Sequence, residues 1–189
     1  MELMRPPGAG RHPARATRGS GKAAEPHLLE TSFEPQVLAL GDALRARGQR
    51  MASAESCTGG LIAAACTSVA GSSDWFERGF VTYSNEAKVQ MLGVDAGLIA
   101  RHGAVSEEVV RAMLAGALAR APVQLAVAVT GIAGPGGAVP GKPVGTVWLA
   151  WGTAASAQAL RLQLDGDRSN VRAATVQEAL HRLIAAARA

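Results

Sequence analysis

Ala54-Glu55-Ser56-Cys57-Thr58-Gly59-Gly60, followed by Leu61-Ile62-Ala63-Ala64-Ala65-Cys66, is the stretch that decides the fold of this 189-residue chain. Met51 and Ala52 lead into a polar cluster closed by two glycines, and a small-residue run starts at once. That order predicts a strand over 50–55, a tight corner, and a buried helix over 60–69 that Ala70-Gly71-Ser72-Ser73 breaks. Such a corner leaves backbone N–H groups free at the positive end of a helix. A hydroxyl or thiol there, on Ser56, Cys57 or Thr58, is suited to attack a carbonyl, because the same N–H groups can hold the oxyanion. Simple helix capping by Ser or Thr is the plainer reading. Cys57 is intrinsically the better nucleophile, but cysteine is also among the most buried residue types and no histidine pairs with it in sequence.

Working outward, Gly79-Phe80-Val81-Thr82-Tyr83 reads as a second strand. Ser84 then suits the N-cap of a helix with Glu86 in its first turn and Lys88 just beyond. A helical lysine is ordinarily solvated; it becomes a base only when burial or nearby positive charge lowers its pKa. Tyr83 either orients that base or packs, and Ser72 and Ser73 are either loop residues or a second hydroxyl beside the nucleophile. Together these features point to a hydrolase with a hydroxyl nucleophile and a lysine base.

Upstream, a helix opens near Phe33-Glu34-Pro35, with Pro35 in its first turn, and Val37, Leu40 and Leu44 on one face before Gly48 stops it. Downstream, 95–102 forms a short helix closed by Gly103. Ser106-Glu107-Glu108 starts a longer one with Val109, Val110, Met113, Leu114, Ala117 and Leu118 as its apolar stripe. The unbroken apolar run 125–130 fits a strand covered on both faces. It enters Gly131-Ile132-Ala133-Gly134-Pro135-Gly136-Gly137 from Thr130, a wide turn or an anion cradle of backbone N–H groups. Strands over 144–151 and around Leu160, Leu162 and Leu164 follow, and Ser169 caps a last helix carrying Val176, Leu180 and Leu183. The last strands succeed each other without a helix between them. The fold class is therefore a single three-layer α/β domain with a mixed sheet flanked by helices.

Gly136 to Lys142 matches the spacing of a phosphate-binding loop. Pro143 stands where a Ser or Thr must hold magnesium, and a strand follows where a helix is needed, so an ATPase reading is rejected. Arg168, expected just before a helix N-terminus, is placed either to grip a phosphate or to pair with Asp165 or Asp167.

Composition narrows the classes further. Aromatics are 4% of residues, too few for a base-stacking surface, so nucleic acid is not the expected partner. The net charge of +4 is concentrated in the first 27 residues, where Arg5, Arg11, Arg15, Arg18 and Lys22 face only Glu2 and Glu25. Residues 1–30 read as a disordered basic tail and 31–189 as the domain. Cys57 and Cys66 form no metal or redox spacing and suit a reducing, cytoplasmic setting. His12, His27, His102 and His181 form no ligand pair, so no metal is expected, and no apolar run is long enough to span a membrane.

Six blocks in order carry a resemblance to a known family. They are Ala54-Glu55-Ser56-Cys57-Thr58-Gly59-Gly60, the run from Ala70 to Lys88, His102-Gly103-Ala104-Val105-Ser106, Thr130-Gly131-Ile132-Ala133-Gly134-Pro135, Lys142-Pro143-Val144-Gly145-Thr146-Val147 and Gly166-Asp167-Arg168. The chain resembles the CinA C-terminal family over roughly 33–187, whose characterised members are nicotinamide-nucleotide amidases of the PncC type. The resemblance implies hydrolysis of nicotinamide mononucleotide to nicotinate mononucleotide and ammonia, without metal or other cofactor, by a protein that forms homo-oligomers. It implies Ser56 as nucleophile, with Ser73 the alternative, and Lys88 as base. Ser73, Tyr83 and Thr130 would add hydrogen bonds. Glu55, Thr58, Gly59, Gly60, Gly131 and Gly134 would line the substrate site, and Arg168 would meet the phosphate. Two other readings stand beside it: a non-catalytic partner-binding domain linked to competence or DNA damage, and an amidase acting on a different phosphorylated amide.

Overall fold

The computed structural model describes residues 28–189. The proposed basic tail lies outside them except for its last three residues, where the first helix, α1 (Leu28–Ala46), begins. Pro35 sits inside α1 rather than in its first turn, removing one backbone hydrogen bond from the ladder.

β1 (Met51–Glu55) leads to α2 (Leu61–Thr67), a 3-10 turn (Ser72–Asp74) and β2 (Phe76–Val81). α3 (Asn85–Leu92), α4 (Ala96–His102) and α5 (Glu107–Arg120) follow, then β3 (Leu125–Gly131), β4 (Thr146–Gly152), β5 (Ala157–Gln163) and α6 (Arg168–Arg188). The sheet order is β2-β1-β3-β4-β5; β1 is parallel to β2 and β3, and β4 and β5 are antiparallel. The expected mixed sheet with helices on both faces is what forms.

Alternation along the strands sorts the two cores. Leu125, Val127 and Val129 of β3 pack with Leu40, Leu44, Ile62, Val176 and Leu180 on the side of α1, α2 and α6. Ala126 and Ala128, with Ala54 and Ala150, face Val110, Met113 and Leu114 of α5. Alanine on that face lets α5 lie close to the sheet. Gly116 serves the same end, since a Cβ there would overlap the carbonyl oxygen of Leu92 at the end of α3.

Some boundaries differ from the sequence reading. β2 begins at Phe76 and ends at Val81, because Met51 N–H already donates to Trp75 O and the chain leaves the sheet after Thr82 N–H donates to Glu55 O. The cap of α6 is Asp167, not Ser169. Its carboxylate accepts from Asn170 N–H at 2.9 Å, and the Asn170 side chain accepts from Asp167 N–H at 3.2 Å, a closed capping box.

Candidate active site

The alternation that sorts the cores also splits the corner after β1. Ser53 and Glu55 turn toward α2, whereas Ser56, whose N–H still donates to Val129 O at 3.0 Å, reaches toward α3. Lys88 waits there, one turn into α3 behind the Ser84 cap, which accepts from Ala87 N–H. Its Nζ lies 3.0 Å from Ser56 Oγ and donates to Thr82 O at 2.9 Å and Ser84 O at 3.4 Å. Only 1% of Lys88 is exposed. Desolvation pulls its pKa below the ordinary lysine value, opposed in part by the nearby Glu86 side chain. A neutral amine in this place directs its two N–H bonds at the carbonyls and its lone pair at Ser56 Oγ. That is the arrangement a general base requires.

The neighbouring candidates separate on protonation and hydrogen bonding, since Ser56 (9% exposed) and Cys57 (6%) are about equally buried. Cys57 is buried, and desolvation pushes its thiol up to about 12, so it carries no thiolate at neutral pH. Thr58 is fully buried and spends its hydroxyl on Glu55 Oε2 at 2.7 Å. Ser73 lies in the 3-10 turn ahead of β2, whose first residue pairs with Met51 at the start of β1. Ser56 follows the last residue of β1, so within one chain the strands themselves hold Ser73 at the opposite end of the sheet.

Glu55, expected to touch substrate, is wholly buried and fully engaged. Its Oε2 accepts from Thr58 Oγ1, Gly60 N–H and Ile62 N–H, and its Oε1 from Ser53 Oγ and Ala63 N–H. A carboxylate therefore fills the N-terminus of α2, and Gly59 N–H donates to Ser56 O. The corner N–H groups at Gly59 and Gly60 are thus spent on shaping the turn, in which both glycines take positive φ (60° and 94°). Glu55, Thr58, Gly59 and Gly60 stand behind Ser56 and border neither cavity described next.

Ser56, Cys57 and Lys88 open onto a cavity of about 210 Å³ also lined by Tyr83, Asn85, Ala104, Val105, Thr130, Gly131, Ala133 and Arg168. Thr130 Oγ1 donates to Ala104 O at 2.9 Å, holding the 103–105 loop against β3. β3 residues 129 and 131 present their backbone groups toward β1, so Gly131 N–H faces past the end of β1 toward Ser56. Beyond Ala133 and Arg168 lies a second cavity of about 540 Å³, bordered by Gly134, Pro135, Val144, Gly166, Asp167, Ser169 and Arg172. Arg168 stands between the two. Its guanidinium donates to Gly134 O at 3.1 Å and to Tyr83 Oη at 2.9 Å, while Tyr83 itself is 60% exposed. Two other cavities, of about 440 Å³ on the α3–α4 surface and about 310 Å³ on the α1–α6 surface, are lined by neither Ser56 nor Lys88.

Lys142, of the rejected phosphate-loop match, donates to His102 O at 2.8 Å and ties the glycine-rich loop to the end of α4. Asn85 and Arg172 were not anticipated from the sequence. Arg172 had a signal, since it lies four residues after Arg168 and so shares its helix face.

Comparison with known proteins identifies the family. The model of the CinA C-terminal domain matches residues 34–187. The chain is 54% identical over 145 residues to a nicotinamide-nucleotide amidohydrolase PncC of Pseudomonas putida, covering 77% of this chain and 91% of that protein. It is also 54% identical over 145 residues to the PncC of Escherichia coli K12, covering 76% and 88%. The crystal structure of the competence/damage inducible protein CihA from Agrobacterium tumefaciens superposes with a TM-score of 0.79 at 45% identity, covering 81% of this chain and 94% of that one. The chain belongs to the CinA C-terminal family.

Proposed function

We propose that this chain is an amidohydrolase that converts nicotinamide mononucleotide to nicotinate mononucleotide and ammonia, with Ser56 as nucleophile and Lys88 as general base. The single observation that carries the reading is a buried, uncompensated lysine amine 3.0 Å from a serine oxygen at the mouth of a cavity. The names of relatives more than half identical to the chain supply the substrate.

In this mechanism neutral Lys88 takes the Ser56 proton as Oγ attacks the carboxamide carbon. Of the oxyanion donors expected at 58–60 or near Thr130, the second suits the geometry, with Gly131 N–H facing Ser56 while Gly59 N–H bonds to Ser56 O and Gly60 N–H to Glu55. The Lys88 ammonium returns its proton to the departing nitrogen, and ammonia leaves an ester on Ser56. Water, deprotonated by Lys88, cleaves that ester to the carboxylate. The two cavities suit the two ends of the substrate: the pyridine carboxamide beside Ser56, and the phosphate near Arg168 in the wider compartment. Tyr83 and Thr130 then act by holding Arg168 and the 103–105 loop. A cytoplasmic location and assembly into homo-oligomers belong to the same reading. Two free, buried cysteines accord with the first, and sedimentation of the full chain tests the second.

The test is ammonia release from a panel of nucleotide and non-nucleotide amides. Nicotinamide mononucleotide is expected to give the highest kcat/KM, and Ser56→Ala to abolish release. Turnover of another phosphorylated amide in its place would overturn the substrate, and undiminished release by Ser56→Ala would overturn the mechanism.

A further inference from the structure

Arg172 lies beside Arg168 on the same face of α6 and is tied to the corner that carries Ser56. One terminal nitrogen donates to Thr58 O at 2.8 Å, two residues past Ser56, while its Nε is buried without a partner among the described residues. The same side chain borders the 540 Å³ cavity beside Arg168. Arg168 spends one N–H of each terminal nitrogen on Gly134 O and Tyr83 Oη, so it can meet only part of a phosphate and a second cation beside it adds donors. The carboxylate bordering the cavity, Asp167, is drawn back as the cap of α6. The Nη1 side of Arg172, away from Thr58 O, makes no hydrogen bond among the described residues, and guanidinium groups match phosphate oxygens in charge and shape.

From this we infer that Arg172 is a second phosphate-gripping residue. It reads the substrate's phosphate with one edge of its guanidinium while holding the nucleophile corner through Thr58 O with another. The inference rests on the amidase reading for the identity of the substrate, but not for the phosphate site itself. Phosphate recognition is then joined physically to the placement of Ser56. A substrate lacking the phosphate loses turnover as well as affinity.

Calorimetry on the full chain with ribose 5-phosphate and with ribose, together with ammonia release from nicotinamide mononucleotide and nicotinamide riboside, tests this. Wild type should bind ribose 5-phosphate but not ribose, and Arg172→Met should weaken that binding about tenfold or more. The same variant should narrow the preference for the phosphorylated amide by a similar factor, with part of the loss in kcat. Arg172→Lys keeps the charge without the fork, should fall between, and decides the matter if Arg172→Met does not fold. Failure of wild type to bind ribose 5-phosphate overturns the inference, as do wild-type binding and preference in both variants. If wild type releases no ammonia from the nucleotide while ribose 5-phosphate binding still falls with Arg172→Met, the amidase reading fails and the phosphate site stands.

Discussion

Lys88 sets the pH behaviour of the site. Its pKa is lower in the fold than in the unfolded chain, so between the lowered value and 10.5 the native state binds fewer protons. Burial of this amine therefore costs stability progressively as pH falls through that window, and none above it. Activity follows the same titration: kcat/KM should rise with pH along a limb lying below the ordinary lysine range, then level off. Lys88→Arg, which cannot deprotonate, should lose about 10³-fold in kcat. Glu55 acts on stability and position instead. Glu55→Gln leaves several of five donors, three of them in fully buried bonds, without an acceptor and should cost about 3 kcal/mol, read from urea midpoints. Cys57→Ala should retain turnover within a few-fold, since the thiol is buried and protonated; loss of turnover comparable to Ser56→Ala would restore Cys57 as nucleophile.

At the scale of elements, the proposed Ser56–Lys88 chemistry depends on how closely α3 is held to the sheet. Gly116 of α5 meets the last turn of α3 where a Cβ would strike Leu92 O and come within 2.9 Å of Leu92 Cβ. Gly116→Ala should push α3 outward, costing about 1–3 kcal/mol. It should lower kcat more than KM by lengthening the Ser56–Lys88 distance; full activity would show that the pair tolerates the shift. Strands and helices of this kind were legible because their signals are local: the apolar run of β3, the Ser84 and Ser106 caps, Gly103 after α4. The cap of α6 was misread because Asp167 and Ser169 are both good caps, and the choice turns on Asn170 completing the box with Asp167. The carboxylate of Glu55 could not be read from spacing. Its role needs β1 to end facing α2, a fact of three dimensions, and the same holds for the opposite placement of Ser73.

For the molecule as a whole, three parallel strands bring their ends together at one edge. Ser56 after β1, Tyr83 after β2 and Gly131 at the end of β3 meet Lys88 from α3 and Arg168 from α6 there. The site is thus assembled from five elements and should stabilise the fold when filled. Nicotinate mononucleotide at a hundredfold excess over its Kd should add about 2.7 kcal/mol to unfolding free energy, seen as a raised Tm; an unchanged Tm would mean the cavities do not bind it. The central claim is a bond from Ser56 Oγ to the substrate's acyl carbon. It is tested most directly by rapid acid quench during turnover of nicotinamide mononucleotide, followed by mass spectrometry of the tryptic peptide spanning 51–78. The account predicts a nicotinate-nucleotide ester on Ser56 that is absent in Ser56→Ala; an adduct on Cys57 or Ser73, or persistence of turnover in Ser56→Ala, would contradict it.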